Sequence, residues 1–154
     1  MWLLGHLSLG FFSAYATSKY TGERLVIPIV WFASILPDFD ELFSKYIVHR
    51  GPGHSIVVAV VALIPIFLVF KRRGLPYFAA FASHIFIGDY LVPPTQMFWP
   101  LTNAWYGAPQ VLQLKGIVET LVEVSLFALM LVFILHRRKV SVDSPRARDN
   151  VRIY

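Results

Sequence analysis

The 154 residues give room for one domain; 56% are hydrophobic, only 15% are charged and mean hydropathy is +0.60, against about 25% charged in a soluble domain, so a water-facing fold is disfavoured and lipid is the expected solvent. The net charge of +5 sits in short clusters beside apolar runs, Lys71-Arg72-Arg73 and Arg137-Arg138-Lys139, then Arg146, Arg148 and Arg152; these read as membrane orientation signals rather than a phosphate-tracking stripe, which argues against a nucleic-acid partner. The absence of cysteine excludes disulfides and thiolate metal sites, so any metal must be held by His, Asp, Glu or water.

In chain order, five apolar stretches are expected to form helices, because lipid requires each backbone polar group to be paired within its own segment. The first runs from Met1 to Ala16 around His6. Ala14-Tyr15-Ala16 resembles a cleavage site, but no basic residue precedes Lys19, so a retained membrane segment is preferred over a signal peptide. The second, Leu25 to Leu36, runs into Pro37-Asp38-Phe39-Asp40 and is the weakest span. Ser55 to Phe70 is the third, Leu75 to Val92 the fourth with His84 and Asp89 inside it, and Ile117 to Leu135 the fifth and cleanest, with Glu119 and Glu123 near its start. Several are shorter than the roughly 20 residues a perpendicular span needs. The expected fold is all-α: a small polytopic helix bundle with four or five segments crossing. Residues 1–139 form the membrane domain, and Val140 to Tyr154 a basic, mobile cytoplasmic tail.

The basic clusters close the third and fifth segments, and Lys19 and Arg24 share their side if each segment crosses once. The positive-inside rule then places those ends in the cytoplasm of an inner (plasma) membrane protein. On this topology His6, Asp38, Asp40, His49, His54, His84, Asp89 and Glu119 all fall in the outer leaflet, near the extracytoplasmic face. An ionisable group at membrane depth costs at least about 2.5 kcal/mol unless paired or hydrated. Gathering eight of them is intelligible if a cation offsets several carboxylates. N/O ligation suits Zn first, with Mn and Fe as alternatives. Each residue also has a plainer reading: His6 as a packing histidine, Asp38 and Asp40 as helix caps, His49 as a solvated loop residue, and His84 with Asp89 as a structural pair. Glu119 and Glu123 could be bundle contacts.

Gly5-His6-Leu7-x-x-Gly10, Leu36-Pro37-Asp38-x-Asp40, His49-Arg50-Gly51-x-x-His54-Ser55, the His84 and Asp89 pair and Phe98-Trp99-Pro100 occur in that order. Together they resemble the YdjM-type family of inner-membrane proteins, described as metal-dependent hydrolases and as LexA-binding, over roughly residues 1 to 135. The Asp and His elements are more distantly similar to zinc-dependent phospholipase C. The resemblance implies a metal held by His6, Asp38, Asp40, His54, His84 and Asp89, with His49 as a further candidate. Two departures stand out: five positions separate His84 from Asp89 where the family pattern is His-x3-Asp, and Gly53 replaces a Thr before the second loop histidine.

The expected chemistry is metal-assisted hydrolysis of a phosphoester, on a lipid or lipid-linked substrate. Asp38, Asp40, His54 and His84 are the leading ligands, followed by His6 and Asp89. Glu119, or an Asp that does not ligate, is a candidate general base and Arg50 a candidate partner for phosphate charge; the plain reading of Arg50 is a headgroup anchor. Pro93 to Trp105 would lie along the interface as an aromatic-rich cover or ordinary belt. The alternatives are a non-catalytic membrane module with a structural metal and a partner-recruiting tail, or an ion-handling protein. Oligomeric state is not legible in the sequence.

Overall fold

The computed structural model describes residues 3–46, 48–92 and 94–143. Five α-helices carry the fold: α1 (Leu3–Thr21), α2 (Ile27–Ile35), α3 (Ile56–Phe70), α4 (Leu75–Ser83) and α5 (Gly116–Asp143). The expected all-α architecture is therefore present. Residues 140–143 of the expected tail continue α5, whereas residues 144–154, and Pro93 of the expected aromatic cover, lie outside the described residues.

Local sequence explains the ends. The hydroxyls of Ser8, Thr17 and Thr21 in α1 donate to the carbonyls of Leu4, Ser13 and Thr17, four residues back. They are thus satisfied within their own helix. α2 lasts nine residues and gives way to a 3-10 helix, Leu36–Phe43, at Pro37; Pro37 has no N–H to continue the α pattern. Ser55 caps α3, its hydroxyl accepting from the backbone N–H groups of Val57 and Val58 and donating to the Trp99 carbonyl.

α1 is the central element and packs against α2, α4 and α5; α3 lies further out and is held mainly near its ends. Phe11, Ala14, Val30, Ala80, Met130 and Ile134 form the main buried cluster. At one end of the bundle, Arg73 Nε lies 4.0 Å from Glu23 Oε2, and the Arg137 guanidinium sits over the Tyr15 and Phe133 rings. The C-terminus of α1, the α3–α4 turn and the basic stretch of α5 therefore meet. The N-termini of α1, α3 and α5 and the C-terminal ends of α2 and α4 lie at the other end, as the alternating topology requires.

Among the described residues, one helix is both long and apolar enough to cross a bilayer, Gly116–Arg137 within α5. It leaves Ile117, Leu121, Val132 and Leu135 exposed, and α3 leaves Val61 and Leu68 exposed. At nine residues, α2 is about 14 Å long, under half of a hydrocarbon core of about 30 Å. The segment expected to be the weakest span is thus a short helix leading into a turn.

Candidate metal centre

The helix ends opposite the basic clusters carry the site. Asp38 and Asp40 project from the 3-10 helix that follows Pro37, His49 and Arg50 from the loop after it, and His54 from the 3-10 turn Pro52–His54 just ahead of α3. His6 comes from the first turns of α1. His84 and Asp89 come from the continuation of α4, whose pitch changes to a π-turn at His84–Gly88 and then to a 3-10 turn at Asp89–Leu91.

That change of pitch resolves the five-residue spacing. On a regular α-helix, residues five apart point about 140° from each other. Here the Asp89 N–H donates to the His84 carbonyl, closing a wider, five-residue turn that stacks Asp89 over His84. π-turns of this kind recur at functional sites.

Four ligand-type atoms then converge. His54 Nε2 lies 3.4 Å from Asp38 Oδ1 and 3.1 Å from Asp89 Oδ2. His84 Nε2 lies 3.3 Å from each of the same two oxygens. Both ring nitrogens are buried, and neither is aligned to make a hydrogen bond. A tetrahedron of ligands about 2.0–2.1 Å from a zinc ion has edges of about 3.3–3.4 Å; three of the four nitrogen–oxygen separations have that size and the fourth, His54 Nε2 to Asp89 Oδ2, is 3.1 Å. The far side of each imidazole is engaged as a metal-ligating histidine requires. His54 Nδ1 is 3.0 Å from Asp40 Oδ2, and His84 Nδ1 is 2.7 Å from the Ser34 carbonyl. A carbonyl and a carboxylate only accept, so both Nδ1 atoms carry a proton, and each Nε2 is the nitrogen left to coordinate an ion once its own proton is lost. Buried His and Asp groups here could hold a metal ion: His6, His84 and Asp89 cluster, as do Asp38, His54 and His84, and Asp40, His49 and His54.

The remaining expected residues are placed as follows. Asp40 is a hub: its Oδ1 lies 2.7 Å from His49 Nδ1, and its Oδ2 accepts from His54 Nδ1 and, at 3.2 Å, from the Arg50 N–H. His6 stacks on His84 with ring centroids 3.6 Å apart, and its Nε2 is 3.7 Å from Asp89 Oδ1. Arg50 brings its Nη2 to 3.4 Å from the same oxygen. It does so from a left-handed backbone conformation, φ 63°, which is uncommon away from glycine, with its carbonyl accepting from the Gln96 N–H at 2.9 Å. Glu119 lies on the wall of an adjoining pocket, and Glu123 is buried against α1, its Oε2 accepting from the Gly5 N–H at 3.3 Å.

Two glycines make this closeness feasible. A Cβ on Gly88 would fall 2.6 Å from the His6 ring, and one on Gly53 would fall 2.8 Å from the Asp40 Cβ. The bare backbone of Gly53 thus permits the tight seating of Asp40.

Electrostatics follow from the packing. Burial pushes the Asp38 carboxyl up, but His54 and His84 outweigh it and hold the group well below the usual carboxylate range. Burial likewise opposes ionisation of Asp40, and contacts with His54 and His49 hold it down. Burial disfavours charge on His54, yet Asp38, Asp40 and Asp89 raise it to about 10 in the metal-free protein.

The pocket beside the centre has a volume of about 720 Å³ and is lined by Leu3, Ile35, Phe39, Leu42 and Val92 on its apolar side and by Asp38, Glu41, His49, Arg50 and Glu119 on its polar side. Asp38 thus belongs both to the cluster and to the pocket wall.

The chain matches the model of the YdjM inner membrane protein family over residues 1–142. It belongs to that family. No curated protein and no solved structure matches it. Membership in the YdjM family agrees with the resemblance carried by the ordered motifs and with a candidate span in α5. Sequence reasoning missed two parts of this YdjM site: the Ser34 carbonyl, which acts through the backbone and leaves no side-chain signature, and the π-turn.

Proposed function

We propose that this YdjM family member is a membrane-bound, zinc-dependent phosphoester hydrolase acting on a lipid or lipid-linked substrate, with its centre near the extracytoplasmic face. The observation that carries the reading is the meeting of His54, His84, Asp38 and Asp89 at metal-ligand spacings, with Asp38 opening onto a pocket that also holds Arg50. A bound divalent cation would polarise a phosphoryl oxygen and acidify a water molecule. The Asp40 carboxylate and the Ser34 carbonyl fix the tautomer and tilt of the two imidazoles. The Arg50 guanidinium, beside Asp89 on the pocket side, is placed to orient phosphate oxygens through its planar fork. The apolar wall, Leu3, Ile35, Phe39, Leu42 and Val92, suits the hydrocarbon part of an amphiphile.

The test is elemental analysis of detergent-purified protein, comparing wild type with Asp38→Ala and His54→Ala. Zinc near one equivalent in wild type and loss in both variants is expected; unchanged metal in both removes the site. A screen of phosphoesters and lipid phosphates on the zinc-loaded protein then tests catalysis. One observation favours a second reading. His54, His84, Asp38 and Asp89 together could close a four-coordinate shell, as structural zinc sites do; retained zinc with no turnover under any divalent cation would favour a structural module.

A further inference from the structure

We propose that His49, oriented by Asp40, is the proton-transfer residue of this centre and not one of its metal ligands. The inference rests on the hydrolase reading above.

The argument begins with lone pairs. A neutral imidazole has one. If His54 directs its Nε2 lone pair toward Asp38 and Asp89, its Nδ1 carries a proton, and that proton is held by Asp40 Oδ2 at 3.0 Å. The trio of Asp40, His49 and His54, although close enough to suggest a second ion, cannot then take one, because His54 has no lone pair left on that side. Asp40 is committed as well: it accepts from His54 and the Arg50 N–H on one oxygen and from His49 on the other.

What remains is an Asp–His dyad. His49 Nδ1 lies 2.7 Å from Asp40 Oδ1, the carboxylate side chain 5% exposed and the imidazole 36% exposed. With the proton on Nδ1, the basic lone pair is on Nε2. His49 lines the same pocket as Asp38 and Arg50, and its ring centroid is 5.2 Å from that of His54. A buried carboxylate thus fixes the tautomer of a part-exposed imidazole that lines the pocket, leaving Nε2 as its basic nitrogen, the arrangement a general base needs.

The step balances. His49 Nε2 takes a proton from water as the water oxygen bonds to phosphorus. The ester P–O bond breaks, and the departing alkoxide takes the proton back from the imidazolium. Ester and water become phosphate and alcohol, and His49 returns neutral.

The test uses the full chain in detergent, loaded with zinc. Diethyl pyrocarbonate labelling read by mass spectrometry is expected to modify His49 and spare His54 and His84. His49→Gln is expected to keep the zinc content of wild type. Its turnover of bis(4-nitrophenyl) phosphate should fall about 10²- to 10⁴-fold, with KM within about threefold, and added imidazole should restore part of the rate in His49→Ala. Zinc loss in His49→Gln, or protection of His49 from the reagent until zinc is chelated, would make His49 a ligand and overturn the proposal. Turnover unchanged in His49→Gln overturns the proton-transfer role alone; no turnover by the zinc-loaded wild type overturns the hydrolase reading and this role with it.

Discussion

His84 Nε2 and Asp89 Oδ2 lie 3.3 Å apart although five positions separate them, because a π-turn brings the second residue over the first. The extra residue relative to a four-residue spacing is absorbed on the outer side of that turn, where Phe86 and Ile87 are both exposed. Deleting Ile87 should let a regular α-turn form with the two side chains still on one face, and zinc content should stay near that of wild type. Inserting an alanine after Ile87 should abolish it. Loss of zinc in the deletion as well as in the insertion would show that the π-turn itself is indispensable.

The turn also depends on Gly88. A Cβ there would meet the His6 ring at 2.6 Å, and His6 has no room to retreat while stacked on His84. Gly88→Ala is expected to destabilise the protein by about 1–3 kcal/mol, the usual cost of overpacking. A thermal melt in detergent with an unchanged midpoint would contradict this packing.

Asp38 and Asp40 should separate in metal titrations. Asp38 faces the two Nε2 atoms, whereas Asp40 holds the far side of His54. Asp38→Asn is expected to remove zinc at micromolar chelator, whereas Asp40→Asn should weaken affinity about 10- to 100-fold, the usual effect of losing an orienting partner. Equal losses in the two variants would place Asp40 on the metal itself.

The metal-free protein should be sensitive to alkali. His54 is raised from 6.5 to about 10 by the surrounding carboxylates despite its burial. A group raised on folding contributes stability that is complete below its unfolded value and is lost as pH climbs through the folded one. The apo protein should therefore melt at progressively lower temperature between about pH 6.5 and 10. The zinc-loaded protein, whose His54 is already neutral, should not follow. Parallel pH profiles for the two forms would refute the assignment of His54 as a ligand.

Glu123 offers a test remote from the metal. It sits in α5 but accepts from the N–H of Gly5 in the first turn of α1, one of the donors a helix start leaves without an internal partner. It is 3% exposed, so Glu123→Leu should cost about 1–3 kcal/mol while leaving zinc stoichiometry intact. Loss of zinc without loss of stability would instead tie Glu123 to the centre.

Much of this was legible beforehand because ionisable residues inside apolar runs are conspicuous. His6, His84 and Asp89 interrupt hydrophobic stretches, and the alternating topology alone put them at the same end as Asp38 and His54. The division of labour between Asp38 and Asp40 was not legible: two carboxylates two residues apart read alike, and the path of the 3-10 helix after Pro37 decides which one faces the imidazoles. His49 read as one more candidate ligand, since nothing in the sequence says which nitrogen of His54 is spent where. α5 runs on to Asp143, past the apolar stretch that ends at Leu135, because hydropathy marks where lipid-compatible residues stop and not where a helix does: His136, Arg137 and Arg138 are compatible with helix.

Beneath the centre, Phe11, Ala14, Val30, Ala80 and Met130 fill the bundle with close-packed hydrocarbon. Among the described residues, this hydrocarbon layer lies between the His and Asp cluster and the end that carries Arg73 and Arg137. The ionisable chemistry and the packed interior thus occupy different depths of one small bundle.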